Sequence, residues 1–281
     1  MTYCNVNGQL VRAEDAVVSV QDRGFRFGDG VFETIRVQAG VPCWFEWHMQ
    51  RLAGGLRALR IDFDTASLTG LCRELLRKNA IVDGLLRIQV TRGSGSRGYL
   101  PTPSNAHYVI ETPPFPVIPD KPGALWMSSH TKISPRALPV QYKLCQGLNS
   151  TLARMEAAEH DCMDALLLNE NGQICETSSG NIFWLADGTL YTPSLACGVL
   201  EGATRAAIMR LSAAVEVEAP VEALRGAQAI FITNAVWRTL AVGAIPQLGI
   251  SCDSHAYAQQ VKRLLDEDCA DYCQKQAGAW G

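Results

Sequence analysis

Four side chains in this 281-residue sequence have the types and surroundings that chemistry on a small charged molecule needs: Arg51, Lys143, Glu176 and Thr204. Lys143 stands in VQYKLCQGLN, where Val140, Tyr142, Leu144 and Cys145 offer apolar surface to its stem. Burial of that kind disfavours the ammonium and makes a neutral amine available for Schiff-base formation. Thr204 lies in LEGATRAAIMRL, where Gly202 precedes a small residue and Ala207, Ile208 and Leu211 define one helical face. The first turn of such a helix, at Ala203 and Thr204, presents N–H groups and a hydroxyl to a phosphate. Arg51, in HMQRL, is a guanidinium suited to the same kind of anion, and Glu176, in QICETSSGNIF, is a carboxylate following a strand-like stretch. Taken singly, each also has an ordinary reading: an exposed lysine, a plain Thr cap, a solvated arginine, a structural glutamate.

The elements that must position these groups fall on either side of a proline-rich stretch. Pro113, Pro114, Pro116, Pro119 and Pro122 exclude helix interior and central strand, so residues 113–123 are expected to link a small N-terminal α+β domain, 1–112, to a larger C-terminal domain, 124–281, carrying Lys143. In the first part, residues 32–37 and 41–45 are read as a hairpin about Gln38-Ala39-Gly40. A helix with Leu52, Leu56 and Leu59 on one face follows, then strands at 87–93 and 107–112. In the second part, 164–169 and 181–193 are read as strands, the latter a hairpin turning at Asp187-Gly188, with helices at 149–160 and 204–215. The glycine-rich GDG at 28–30 and RGSGSRG at 92–98 precede no helix and are read as loops.

Composition narrows the partners. Hydrophobic residues make up 47%, charged residues 19%, and the formal net charge is -3, so no basic surplus exists to neutralise nucleic-acid phosphates. No stretch approaches the roughly 20 apolar residues of a membrane span, and MTYCNVNGQL does not have the charged and apolar blocks of an export signal. A cytoplasmic protein is the expectation. Its ten cysteines, scattered and without a C-x-x-C pair, are then expected to be reduced. Cys269 and Cys273 lie one helical turn apart, but no neighbouring His or further Cys in the sequence supports a metal site.

In order along the chain, QDRGFRFGDGVFETIRV, HMQRL, TRGSGSRGY, YKL with LNSTLARMEA, DALLLNENGQICETSSGNIF, LYTP and LEGATR resemble the class IV aminotransferases, the fold-type IV pyridoxal-phosphate enzymes. The resemblance spans essentially the whole chain. It implies an α/β (α+β) two-domain fold of the D-amino-acid aminotransferase kind, pyridoxal 5'-phosphate as cofactor, a small amino substrate, and a homodimer with active sites near the subunit interface. It also implies that Lys143 forms the Schiff base and later moves a proton. Glu176 would face the pyridine nitrogen and keep it protonated, so that the ring can accept electrons. Arg51, Thr204 and the backbone at Ala203 would form the phosphate cup, with Asn234 a further cofactor contact. In relatives acting on D-amino acids, an arginine of the loop matching RGSGSRGY holds the substrate carboxylate. That position maps to Arg97, while Tyr99 and Phe32 fall where those enzymes carry a His and a Tyr.

The family includes branched-chain and D-amino-acid aminotransferases and aminodeoxychorismate lyases, and two local features favour the lyases. TRGSGSRGYLP resembles their R-G-S-G-x-R-G-Y loop, and Asn234-Ala235 in ITNAVW resembles their Asn-Ala where aminotransferases have hydroxyl-rich turns. Phe32-Glu33-Thr34 is common to both groups, and Gln146 and Gly147 depart from the family pattern after the lysine. An aminotransferase, or a retired paralogue serving as a binding subunit, are the alternatives. The presence of Lys143, Glu176, Arg51 and Thr204 together argues against the second.

Overall fold

The computed structural model describes residues 1–102 and 105–281. The chain forms two compact units. The first comprises Met1–Pro116, Tyr142–Gln146 and Cys269–Gly281, and the second Val117–Gln141 and Gly147–Asp268. This division differs from the expected one, because the segment carrying Lys143 belongs to the first unit rather than to a C-terminal domain.

In the first unit, β1 (Tyr3–Val6), β2 (Gln9–Arg12), β3 (Gly30–Gln38), β4 (Val41–Pro42), β5 (Gly84–Thr91) and β6 (His107–Glu111) form one antiparallel sheet in the order β2-β1-β6-β5-β3-β4. Helices α1 (Arg23–Phe27), α2 (Phe45–Ala58) and α3 (Leu68–Lys78) accompany it. Strand β3 alternates: Val31, Glu33, Ile35 and Val37 are buried, and Phe32, Thr34 and Arg36 lie on the other face. The expected strand at 41–45 is reduced to two residues, because Trp44 takes a left-handed φ of 51° and starts α2. Strand β4 therefore covers only Val37 and Gln38 of β3.

Further along that edge, the Lys143 segment pairs with β3. Phe32 N–H donates to the Lys143 carbonyl at 2.9 Å, Cys145 N–H donates to Gly30 O at 2.9 Å, and Val31 bridges Leu144. These main-chain bonds, made to a strand more than a hundred residues away, draw the lysine out of the sequence-local domain. Behind it, Tyr142 packs on α2, where a Cβ at Gly54 would fall 2.5 Å from Tyr142 Cε1. Only glycine permits that approach.

The second unit contains β7 (Gly123–Ile133), α4 (Leu148–Glu159), β8 (Asp164–Asn169), β9 (Ile174–Thr177), β10 (Asn181–Ala186), β11 (Thr189–Pro193), α5 (Ala203–Leu211), β12 (Val215–Val217), β13 (Ala229–Asn234), β14 (Arg238–Ile245) and β15 (Ile250–Ser251). Its sheet runs β12-β11-β10-β13-β14-β7-β8-β9. A pairing of Asn181 with Glu176 joins β9 back to β10, closing part of the sheet on itself. Leu125, Leu166, Ile182, Trp184, Ile230, Ile232 and Val242 fill the enclosed core. Helix α6 (His255–Trp280) follows, its residues from Cys269 onward counted with the first unit. The expectation of reduced cysteines fails at one pair: Cys43 and Cys269 are disulfide-bonded, 226 residues apart in sequence and so invisible to spacing rules. No helix among the described residues is long and apolar enough to cross a membrane.

Candidate active site

In the first unit the lysine expected to do chemistry lies against an aromatic floor. Lys143 Nζ is 4.4 Å from the centroid of Phe32, and the Arg87 guanidinium carbon is 4.2 Å from that same ring. Phe32 and Lys143 are thus brought together, on the face of β3 opposite Glu33. The neighbouring Cys145 thiol is pushed up to about 12, by burial first and by Asp22 and Asp29 against an opposing Arg87, so it stays protonated at neutral pH.

Arg51 is held by Glu33, a residue whose site role sequence reasoning missed. Its Nε and Nη2 donate to the two Glu33 carboxylate oxygens at 2.8 and 2.6 Å, a bidentate pair in a fully buried setting. His48, one turn earlier on α2, meets Glu33 Oε2 through Nδ1 at 2.6 Å. Burial alone would raise the Glu33 carboxyl, but the Arg51 charge, with His48 and both sets of hydrogen bonds, brings it down to about 2. Burial lowers His48, and the nearby Arg51 and Lys143 charges act in the same direction against the pull of Glu33. A signal for Glu33 existed: the period-2 pattern of β3 places it on the core face with Val31, Ile35 and Val37, where a carboxylate requires partners.

Arg97 and Tyr99 lie on an exposed loop, with Tyr99 at 88% exposure, and neither is gathered with Lys143 by the bonds of this loop. Its shape is set by Arg23, which donates to the carbonyls of Ser96, Gly98 and Tyr99 at 3.3, 2.8 and 3.0 Å. Asp29 fixes Arg23 in turn, at 2.9 Å, and also binds Arg92 through both carboxylate oxygens.

The second unit gathers the other expected residues. Glu176 Oε2 accepts from the Leu200 N–H at 2.9 Å and from Asn181 Nδ2 at 3.1 Å, and Asn181 Nδ2 also donates to Leu200 O at 2.9 Å. Gly202, the N-cap of α5, presses on the same asparagine: a Cβ there would sit 2.1 Å from Asn181 Oδ1. Asn181, absent from the sequence reading, therefore couples Glu176 to the first turn of α5. The intervening Thr177–Gly180 loop is pinned because Ser178 and Ser179 both donate to the buried Asp164.

At the start of α5, Ala203 and Thr204 are buried, and Thr204 Oγ1 has no hydrogen-bond partner among the described residues. A buried hydroxyl left without a partner is costly, and the first N–H groups of a helix have no carbonyl within it to bond. Both facts fit a phosphate seated at this end of α5. Asn234 is engaged otherwise: its Oδ1 accepts from Val236 and Trp237 N–H at 2.9 and 3.1 Å, and its Nδ2 donates to Ser179 O at 3.0 Å. Its side chain shapes the β13–β14 turn, so any help to a cofactor comes through that turn.

The pattern of the family described as amino-transferase class IV matches residues 30–245. Aminodeoxychorismate lyase of Bacillus subtilis (strain 168) is 28% identical, covering 98% of this chain and 98% of its own. The crystal structure of 4-amino-4-deoxychorismate lyase from Pseudomonas aeruginosa superposes with a TM-score of 0.82 at 29% identity, over 94% of this chain and 98% of that one. A T.th. branched-chain amino acid aminotransferase with pyridoxamine 5'-phosphate superposes with a TM-score of 0.87 at 25% identity, over 98% and 97%. The chain belongs to the class IV aminotransferase family, whose cofactor is pyridoxal phosphate. It is a lyase or a transaminase of that family.

Proposed function

We propose that this protein is a cytoplasmic, homodimeric 4-amino-4-deoxychorismate lyase that releases 4-aminobenzoate and pyruvate. The observation that carries this reading is the Asn234-Ala235 turn: Asn234 closes it with its own side chain, and Ala235 supplies no hydroxyl where aminotransferases of the family have hydroxyl-rich turns. The B. subtilis lyase, matched over 98% of both chains, supports it.

Lys143 would hold the cofactor covalently, Glu176 would pair with its ring nitrogen, and Arg51, Thr204 and the Ala203 N–H would hold its phosphate. The group supplies an electron sink at the carbon next to the substrate amine. Lys143 Nζ takes the proton from that carbon, working from the face that Phe32 floors. Loss of that proton lets the substrate expel pyruvate as its enol and become aromatic, so the protein needs mainly to orient the breaking bonds. Asn181 and the Leu200 N–H keep the Glu176 carboxylate aimed. Arg97 and Tyr99, exposed on a loop that Arg23 stiffens, would meet the substrate carboxylate once a second copy of the chain is bound.

The likeness to a branched-chain aminotransferase favours a second reading, transamination using the same Lys143 and the same cofactor residues. One assay separates them: purified protein with aminodeoxychorismate, following 4-aminobenzoate and pyruvate without added keto acid. Equal amounts of both products support the lyase. Silence there, with amination of the bound cofactor by D-alanine or leucine, moves the assignment to a transaminase.

A further inference from the structure

Three cysteine sulfurs of the first unit, those of Cys43, Cys269 and Cys273, lie within 4.8 Å of one another, in a place the chemistry above does not use. All three residues are buried, at 1%, 0% and 3% exposure. Cys269 and Cys273 stand at i and i+4 on α6 and so share one helical face, while Cys43 begins the turn that leads into α2. Both supports are firm. Cys43 N–H donates to Arg36 O at 2.8 Å, and the Tyr272 hydroxyl accepts from Phe45 N–H at 3.0 Å, fixing this part of α6 against the start of α2.

Cys273 Sγ is 3.8 Å from Cys43 Sγ and 3.9 Å from Cys269 Sγ. A metal–thiolate bond of about 2.3 Å sets sulfur–sulfur separations of about 3.8 Å in a tetrahedral site and about 4.0 Å in a planar three-coordinate one. Two edges of the triangle already have that length. The third is closed by the Cys43–Cys269 bridge. A dithiol reductant opens it, giving two electrons and two protons to the two sulfurs and becoming a disulfide itself.

No His, Asp or Glu joins these three sulfurs as a ligand group among the described residues. Structural zinc takes four ligands, whereas an all-thiolate set selects soft ions, Cu(I) among them. We propose that the reduced Cys43, Cys269 and Cys273 form a three-thiolate site for one soft monovalent d¹⁰ cation of the Cu(I) class. Binding displaces the three thiol protons onto solvent, three per ion, so its affinity rises with pH. Cys43 lies two residues before the start of α2, the helix that carries His48 and Arg51.

The test uses the full-length, cofactor-loaded chain, reduced with dithiothreitol, desalted without oxygen and titrated with Cu(I) against a chromogenic competitor. The expected result is one tightly held ion per chain, absent before reduction, with three sulfur neighbours at about 2.3 Å by X-ray absorption. Cys273→Ser and, as a second variant, Cys269→Ser should each weaken binding by more than about 100-fold, with Cys252→Ser unchanged. Circular dichroism identifies the variants that keep their fold, and those decide. Equal affinity in either folded variant, uptake by the bridged protein, a two-sulfur ion, or tighter binding of Zn(II) than of Cu(I) would each overturn the proposal.

Discussion

Replacing Glu33 by Gln removes one charge from a fully buried trio and leaves its volume almost unchanged, so the effect reports electrostatics. The Glu33 carboxyl is brought from 4.5 to about 2, with burial opposing the shift and Arg51 and His48 driving it. At 1.36 kcal/mol per decade this is about 3 kcal/mol of stabilisation at neutral pH. The same order follows from breaking a buried ion pair, roughly 3–5 kcal/mol, since the Gln amide would point a donor at a guanidinium that has only donors. Because the folded-state value is depressed, the contribution is present above pH 4.5 and is lost as pH falls towards 2. Thermal unfolding at pH 7 should therefore fall by about 6–10 °C in Glu33→Gln, and the gap to the parent should narrow steadily below pH 4.5. A drop under about 1 °C at pH 7, or a gap that stays constant into acid, would refute the reasoning. If Arg51 grips the cofactor phosphate, the variant's cofactor Kd should also rise by about tenfold or more, as when the outer partner of a ligand is removed.

Further consequences can be measured on the same protein. Lys143→Ala should abolish turnover and the borohydride-trappable adduct while leaving the circular dichroism spectrum intact; near-normal activity would sink the mechanism. Thr204→Val keeps shape and removes a buried hydroxyl that has no protein partner, so the cofactor-free melting temperature should move by less than about 1 °C. The cofactor Kd should meanwhile rise by about 10–100-fold, the worth of one hydrogen bond to a charged group, and an unchanged Kd would remove Thr204 from the phosphate cup. Gly202→Ala places a methyl 2.1 Å from Asn181 Oδ1 and should cost about 1–3 kcal/mol in denaturant unfolding. A silent substitution there would show that Asn181 is not held as described.

Elements whose pattern is local were legible in the sequence. DALLLN coincides with β8, every residue of it buried, and the Asp187-Gly188 turn joins β10 to β11 with φ of 49° and 74°. Where the reading missed, a longer-range contact or an unusual backbone decided. The helix expected to reach 215 ends at Leu211, where Ser212 turns extended and its hydroxyl takes the Ile208 carbonyl at 2.7 Å. Helix α6 was present as an apolar stripe, Ala258, Val261, Leu265, Cys269 and Cys273, all buried at steps of three and four. The sequence places Cys269 and Cys273 one helical turn apart, but the sulfur that both meet belongs to Cys43, 226 and 230 residues away.

The site divides along the same line, for a physical reason. A bound phosphate, a carbonyl carbon and a ring nitrogen each demand one kind of group in one local setting: a helix N-terminus, an amine with apolar flanks, a carboxylate after a strand-like stretch. Those settings are written in five to ten consecutive residues, so types and neighbours make Thr204, Lys143 and Glu176 candidates, and the resemblance of the ordered segments gives them their expected roles. Aiming them is a different task, carried by Glu33 on Arg51, by Asn181 on Glu176 and by Arg23 on the loop of Arg97. Arg23 reaches carbonyls 73 to 76 positions on, and no window of sequence contains both ends of that contact. Substrate choice depends on how such loops are held, so the cofactor of this protein was readable from short stretches while the proposed choice of lyase over transaminase rests on a loop and a turn.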